Sequence, residues 1–197
     1  MTTKSIAVVT GGAGFIGSHM VDVLLAHGYK VRVIDNLTGG RKSNLAHLEG
    51  NADVECFWLD IRALEPHSAV FKDVRFVFHF AGIGDIVPSI EKPIEYMDVN
   101  VQGTVRVLEC ARTAGVEKFV YAASSSCYGL AATPTDDIRS YHINSDKIKR
   151  VLGYAPRHTI EDAVRELCKA FLANRIPNSM EDDRYYNVRL LKRLKAA

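Results

Sequence analysis

The feature that most constrains the fold of this chain is a cluster of glycines between an apolar run and a helical pattern. Gly11, Gly14 and Gly17 form the pattern G-x-x-G-x-x-G at this junction. A residue without a Cβ allows a sharp turn at the first position, lets a pyrophosphate approach the backbone at the second, and lets the helix lie close to the strand at the third. The cluster predicts a strand–turn–helix unit that binds a dinucleotide, and the alternative is a tight turn with a purely structural role.

Short apolar runs alternate with helical patterns along most of the chain. We predict five strands, at residues 5–10, 30–35, 54–59, 75–81 and 118–124. Helices are predicted at residues 15–27, ended by Gly28, and at residues 93–114. Strands that alternate with helices form right-handed crossovers and a parallel sheet. The predicted fold class is therefore α/β, a doubly wound parallel sheet of about five strands.

Two details of the helices follow from the same periodicity. The face of helix 15–27 that we expect to be buried comprises Ile16, Met20, Val23 and Leu24. After residue 137 the pattern changes to two helices without a strand between them, at residues 145–152 and 159–174. Thr159 and Asp162 form a capping box at the start of the second. We therefore predict a nucleotide-binding domain over residues 1–137 and a short helical appendage over residues 138–197.

Composition excludes several other functions. The formal net charge of +2 is too small to indicate nucleic acid or an acidic membrane surface as a partner. The four cysteines and seven histidines show no metal-ligand spacing, so we expect no metal site, and the dispersed cysteines are typical of reduced thiols. No apolar run is long enough to span a membrane, and no secretory signal opens the chain. We expect a cytoplasmic protein.

An acidic residue at the end of the second predicted strand indicates which dinucleotide binds. Asp35 lies 18 residues beyond Gly17. A carboxylate there accepts hydrogen bonds from the adenosine ribose hydroxyls and repels a 2′-phosphate, which favours NAD over NADP. The neighbouring cations Arg32, Arg41 and Lys42 weaken that preference. Asp60 follows the third strand, where it would meet the adenine ring; the alternative is a solvated turn former or helix cap.

Several longer segments resemble one protein family. The segments "TGGAGFIGSH", "DNLTGG", "FHFAG", "EKPIEYMDVNVQGTVRVLECAR" and "KFVYAASSSCYG" cover nearly all of residues 5–129, and "SDKIKRVLGYAPRHTIEDAVR" gives a second match. The chain resembles the extended short-chain dehydrogenase/reductases, and within them the NAD-dependent nucleotide-sugar epimerases and dehydratases, in particular the UDP-glucose 4-epimerases. The resemblance implies a Rossmann-like fold, NAD as cofactor and a UDP-sugar as substrate.

The turn, the strand ends and the resemblance together define the predicted cofactor site. Its residues are Gly11, Gly14, Phe15, Ile16, Gly17, Asp35, Asn36, Asp60, Ile61, Phe80, Ala81, Gly82, Asn100 and Ser124.

The resemblance also implies a reaction. In the family, NAD takes a hydride from a sugar carbon while a tyrosinate removes the hydroxyl proton. A lysine four residues later lowers the pKa of that tyrosine, and a Ser or Thr after the fifth strand, here Ser124, shares the hydrogen bond. Ser125 and Ser126 stand where the sugar dehydratases carry an acidic pair, which favours an epimerase-like relative.

The Tyr-x-x-x-Lys pair itself is absent after the fifth predicted strand. The tyrosines there are Tyr128, Tyr141, Tyr154, Tyr185 and Tyr186, and lysine follows none of them at the required spacing. Between residues 137 and 141 the sequence passes from the family's loop after the fifth strand to its C-terminal tail. We therefore expect an internally truncated chain without the catalytic helix and most of the substrate domain.

Two hypotheses about function follow. One is a non-catalytic NAD-binding module, impaired or inactive as an epimerase. The other is an active enzyme with an unconventional base, for which Tyr141, modulated by Lys147 or Lys149, is the candidate.

The resemblance gives helix 93–114 a further role, as half of a helix bundle that forms a homodimer. Its apolar stripe includes Met97, Val101, Val105 and Leu108. If no dimer covers this stripe, helix 159–174 is the alternative cover, and an uncovered stripe predicts self-association.

Overall fold

The computed structural model describes residues 4–123, 146–155 and 157–175. Five strands form one sheet in the order β3-β2-β1-β4-β5, and every neighbouring pair is parallel. The strands are β1 (Ile6–Thr10), β2 (Lys30–Ile34), β3 (Val54–Phe57), β4 (Val74–His79) and β5 (Lys118–Tyr121). The predicted α/β class with a doubly wound, Rossmann-like parallel sheet is confirmed.

The α-helices are α1 (Phe15–Ala26), α2 (Ile86–Glu91), α3 (Pro93–Met97), α4 (Thr104–Thr113), α5 (Asp146–Leu152) and α6 (Ile160–Leu172). Short 3-10 helices lie at Lys42–Leu48, Ile61–Ala63 and Ala69–Phe71. A π-helical segment, Asp98–Gly103, joins α3 to α4. The sequence predicted one regular helix over residues 93–114, so the widened turn in its middle is a correction; π-helical turns occur frequently at functional sites.

The sheet is covered on both faces by apolar side chains. On one face, Val8 and Val77 pack with Val107 of α4, and on the other, Val9 and Val33 belong to the cluster that contains α1. Successive residues of a strand point to opposite faces, so the central strand β1 reads as an unbroken apolar run because both of its faces are buried.

The face of α1 that contacts the sheet differs from the predicted one. Gly17, Val21 and Leu24 are buried, whereas Ile16 and Val23 are more than half exposed. A Cβ at Gly17 would lie 2.1 Å from the carbonyl oxygen of Gly11. Because the helix approaches the glycine turn most closely at a residue without a side chain, its buried face is centred on that glycine and not on the largest apolar residues.

The predicted end of α1 and the predicted start of α6 agree with the structure. Gly28 after α1 adopts a positive φ of 80°, and Gly153 takes the same kind of conformation after α5, with a φ of 64°. At the start of α6, Thr159 and Asp162 form the expected capping box.

Residues 146–155 and 157–175 contain α5 and α6. The stripe of α6 is exposed by about half at Val164, Leu167 and Phe171. The predicted domain boundary at residue 137 lies outside the described residues and stays a prediction. None of the helices in the described residues has the length and apolar character needed to cross a membrane.

Candidate functional site

A crevice opens where β1, β2, β3 and β4 reach their C-terminal ends. It encloses a cavity of about 300 Å³. It is lined by Gly11, Gly14, Glu95, Val99 and residues 34–36, 38–40, 59–62 and 80–85. Doubly wound sheets bind their ligands at this edge, and the volume is at the lower end of the range for small-molecule pockets.

The glycine turn forms one wall of the crevice. Gly11 has a φ of 67°, and a Cβ on it would lie 2.7 Å from the amide nitrogen of Ala81. Gly14 precedes α1, and no side chain caps that end of the helix. The amides of the first helical turn therefore keep their partial positive charge at the cavity edge, which suits a phosphate group.

Asp35 lines the crevice and is only 7% exposed. One carboxylate oxygen accepts a hydrogen bond from the amide of Ala13 at 2.9 Å, and the other accepts from the amide of Leu37 at 2.7 Å. A Cβ on Gly40 would lie 2.8 Å from both oxygens. The carboxylate thus ties the glycine turn to the loop after β2, and its remaining lone pairs are available to a ligand in the cavity.

Asp60 is the helix cap that the sequence gave as one alternative, and its contact with an adenine ring stays a prediction. Its carboxylate caps the short helix Ile61–Ala63 by accepting from the amide of Arg62 at 2.8 Å, and it also lines the cavity. The Arg62 guanidinium donates to both carboxylate oxygens, and Asn36 Nδ2 donates to one of them at 2.9 Å. The hydrogen bonds from Arg62 are the main reason that the pKa of Asp60 is lowered to about 2.

Asn100 lies in the π-helical segment and holds the loop after β4. Its Oδ1 accepts from the amide of Ile83 at 2.8 Å, and its Nδ2 donates to the carbonyl oxygen of Ile83 at 2.9 Å. A Cβ on Gly82 would lie 3.1 Å from the same Oδ1. Asn100 therefore supports the loop, and Ile83 occupies both ends of its side-chain amide.

The structure brings nine of the predicted cofactor residues to the cavity: Gly11, Gly14, Asp35, Asn36, Asp60, Ile61, Phe80, Ala81 and Gly82. Four others are placed differently. Phe15 and Ile16 are exposed at the start of α1, Gly17 is buried against the turn, and Asn100 stands behind the loop. Ser124 and Tyr141 lie outside the described residues. The cofactor role of all these residues stays a prediction.

Sequence reasoning missed several cavity residues. The glycine pair of "DNLTGG" was a sequence signal for Gly40, because a residue without a side chain is needed where the backbone packs on the Asp35 carboxylate. Arg62 and Ile83 carried none, because their positions depend on Asp60 and Asn100. Within the part of the chain that the structure describes, no group of three or more His, Cys, Asp or Glu side chains could hold a metal ion.

Comparison with known proteins places the chain in a family. The model of the NAD dependent epimerase/dehydratase family matches residues 7–174. The expected family and its dependence on NAD are thereby confirmed.

Individual relatives carry related names. UDP-glucose 4-epimerase 4 of Oryza sativa subsp. japonica is 40% identical over 136 residues, which are 64% of this chain and 36% of that protein. UDP-N-acetyl-alpha-D-glucosaminuronate decarboxylase of Bacillus cytotoxicus is 32% identical over 189 residues, 94% of this chain and 55% of that protein.

A similar solved structure is UDP-glucose-4-epimerase from Stenotrophomonas maltophila, with bound NAD and formylated UDP-arabinopyranose. It is 27% identical, with a TM-score of 0.59 over 77% of this chain and 48% of that one. The chain thus spans between 36% and 55% of the length of these three proteins.

Proposed function

Because this chain belongs to the NAD dependent epimerase/dehydratase family, we propose that residues 4–123 bind NAD in the crevice at the C-terminal ends of the strands. One observation carries the proposal. The glycine turn, the Asp35 carboxylate and the loop after β4 all line a single cavity. A dinucleotide needs these three elements side by side, for its pyrophosphate, its adenosine ribose and its nicotinamide half.

In this arrangement the pyrophosphate lies over Gly11 and Gly14, against the first turn of α1. The adenosine ribose hydroxyls donate to Asp35, and the adenine lies beside Asp60 and Ile61. NAD itself supplies hydride acceptance when bound, and these residues bind and orient it.

Two neighbouring cations do not offset the negative charge of Asp35 in the way their sequence positions suggested. Arg32 donates to Glu55 and to the carbonyl oxygens of residues 70 and 72. The Lys42 ammonium lies 5.1 Å from the centre of the Trp58 ring. Two further cations lie near the crevice: Arg41 is exposed beside Gly40, and Arg62 lines the cavity but is paired with Asp60. With Arg32 and Lys42 engaged elsewhere, Asp35 favours NAD over the 2′-phosphate of NADP.

Thermal unfolding in the presence of each dinucleotide tests this proposal. A ligand that binds only the folded state raises the unfolding midpoint, so NAD is expected to raise it and NADP to raise it less. Asp35→Asn should narrow the difference between the two dinucleotides, and Glu49→Gln, which keeps Asp35 intact, should leave it unchanged. An unchanged midpoint at millimolar NAD would contradict the proposal.

For catalysis, we propose that the chain of 197 residues does not complete the epimerase reaction. The tyrosines after β5 have no lysine at the spacing that the family uses, and a positioned general base typically supplies about 10²- to 10⁴-fold in rate. In full-length relatives the substrate class is a UDP-sugar, and this chain spans only part of their length.

Incubation of the purified protein with NAD and a UDP-hexose tests this second part. We expect no C4 epimer by chromatography or NMR. Product that disappears in Tyr141→Phe, with NAD binding intact, would establish the alternative, an active enzyme with Tyr141 as its base.

A further inference from the structure

A buried histidine outside the cavity connects both walls of the crevice. His79 ends β4 and is 1% exposed. Its Nδ1 lies 2.6 Å from the Thr10 hydroxyl, directly before the glycine turn. Its Nε2 lies 2.9 Å from the Thr104 hydroxyl, at the start of α4. The rings of Phe119 and Tyr121 each lie 5.7 Å from the imidazole, which is thus packed among aromatic groups.

The neighbours of the two hydroxyls fix the direction of each hydrogen bond. Thr104 Oγ1 lies 2.7 Å from the carbonyl oxygen of Asn100, which can only accept, so the Thr104 proton is donated there. His79 Nε2 must then donate to Thr104. At the other side, the Ala81 amide donates to Thr10 Oγ1 at 3.3 Å, which leaves the Thr10 proton for His79 Nδ1.

The result is one directed chain of hydrogen bonds. It runs from the Ala81 amide through the Thr10 hydroxyl, the imidazole and the Thr104 hydroxyl to the peptide carbonyl of Asn100. Both ends of this series of hydrogen bonds reach the loop after β4. One end is the Ala81 amide in that loop, and the other is Asn100, whose side chain is hydrogen-bonded to Ile83. This direction requires an imidazole with its single proton on Nε2.

We propose that His79 is a positioning residue whose neutral, Nε2-protonated imidazole holds the loop of residues 81–84 against the glycine turn. The inference rests on the proposed function in one respect. Because the loop is already held in place, NAD binding does not have to include the free-energy cost of ordering it. The lowered pKa of His79, about 4 because of its burial, agrees with a neutral ring at physiological pH.

The first measurement is made on the unmodified protein, and a variant serves only to assign the signals. Long-range proton–nitrogen correlation spectra of the ¹⁵N-labelled full chain at pH 7 report the protonation of each histidine ring, and His79→Gln assigns the His79 signals. We expect a single, slowly exchanging proton on Nε2. A proton on Nδ1, a charged ring, or rapid averaging between tautomers would overturn the proposal.

The second measurement separates positioning from general stability. Thr104→Val removes the link to His79, and Thr104→Ser restores the hydroxyl. Thr113→Val is the matched control, because Thr113 makes the same kind of bond to its own helix, to the carbonyl oxygen of Glu109 at 3.0 Å, away from the crevice. Amide hydrogen exchange at Ala81 and Ile83 and the dissociation constant for NAD are measured in the three variants and in the unmodified protein.

We expect Thr104→Val to accelerate exchange at Ala81 and Ile83 by about tenfold or more, as the loss of one buried hydrogen bond implies. Exchange in β1 and α1 should change much less, NAD should bind several-fold more weakly, and Thr104→Ser and Thr113→Val should resemble the unmodified protein. Uniform acceleration over the whole sheet would show a merely structural role and overturn the proposal. Should the unmodified protein not bind NAD, the proposed function fails, while the exchange pattern still decides whether His79 positions the loop.

Discussion

Helices α1 and α6 are nearly equal in length, and each carries apolar residues at helical spacing, yet they differ in what stabilises them. α1 has no side-chain cap and buries Val21 and Leu24 in the core. α6 has a complete capping box, while Val164 and Leu167 remain about half exposed. The comparison separates two contributions to the stability of a helix, namely the hydrogen bonds at its end and the burial of one face. In proteins the burial contributes most.

The largest expected effect comes from removing the close approach of α1. In Gly17→Ala the new Cβ would lie 2.1 Å from the Gly11 carbonyl oxygen. We expect a loss of unfolding free energy of about 3 kcal/mol or more, although alanine ordinarily stabilises a helix interior. Urea unfolding measures it. Gly39→Ala is the control, because a Cβ there meets nothing within 4 Å; equal stability of the two variants would show that α1 does not depend on this contact.

Acid should weaken the sheet that holds α1 before it affects the capped helix α6. The pKa of His79 is lowered by burial from 6.5 to about 4. Because the pKa is lower in the folded state, the unfolded chain takes up a proton first as the pH falls. The free energy of unfolding is therefore highest above pH 6.5 and decreases as the pH falls from about 6.5 to about 4. This decrease is on the order of 3 kcal/mol. Urea unfolding at pH 7, 5.5 and 4 measures it, and His79→Gln should show a shallower decline.

A matched pair of substitutions compares the two helices directly. Val21→Ala should cost about 2 kcal/mol, because it removes buried methyl groups and leaves a cavity. Val164→Ala should change the stability by less than about 0.5 kcal/mol, since that side chain is about half exposed. Denaturant midpoints measure both. Equal losses would indicate that the α6 stripe is buried in solution.

The smallest expected effect concerns the cap. Thr159→Ala removes the acceptor for the amide of Asp162 and should lower the local stability of α6 by about 1 kcal/mol, whereas Thr159→Ser should preserve it. Amide exchange within the first turn of α6 reports this change. Faster amide exchange in the sheet as well would contradict the view that the cap stabilises α6 alone.

Much of this architecture is readable in the sequence. The alternation of apolar runs with helical patterns predicted five parallel strands, because a buried parallel strand and an amphipathic helix have different periods. The glycine triplet predicted the turn, and the T-x-x-D sequence predicted the cap of α6, since both signals act over a few residues.

What the sequence determined by itself was local: where the five strands and helices α1 and α6 begin, to within one residue, where a residue without a side chain is needed, and which strand ends carry Asp35 and Asp60. Only the tertiary structure decided which face of α1 is buried, that Asp35 bonds the glycine turn, and that His79 joins Thr10 to Thr104. These contacts join residues more than twenty positions apart. Periodicity describes one element at a time, whereas such contacts depend on how the elements approach each other.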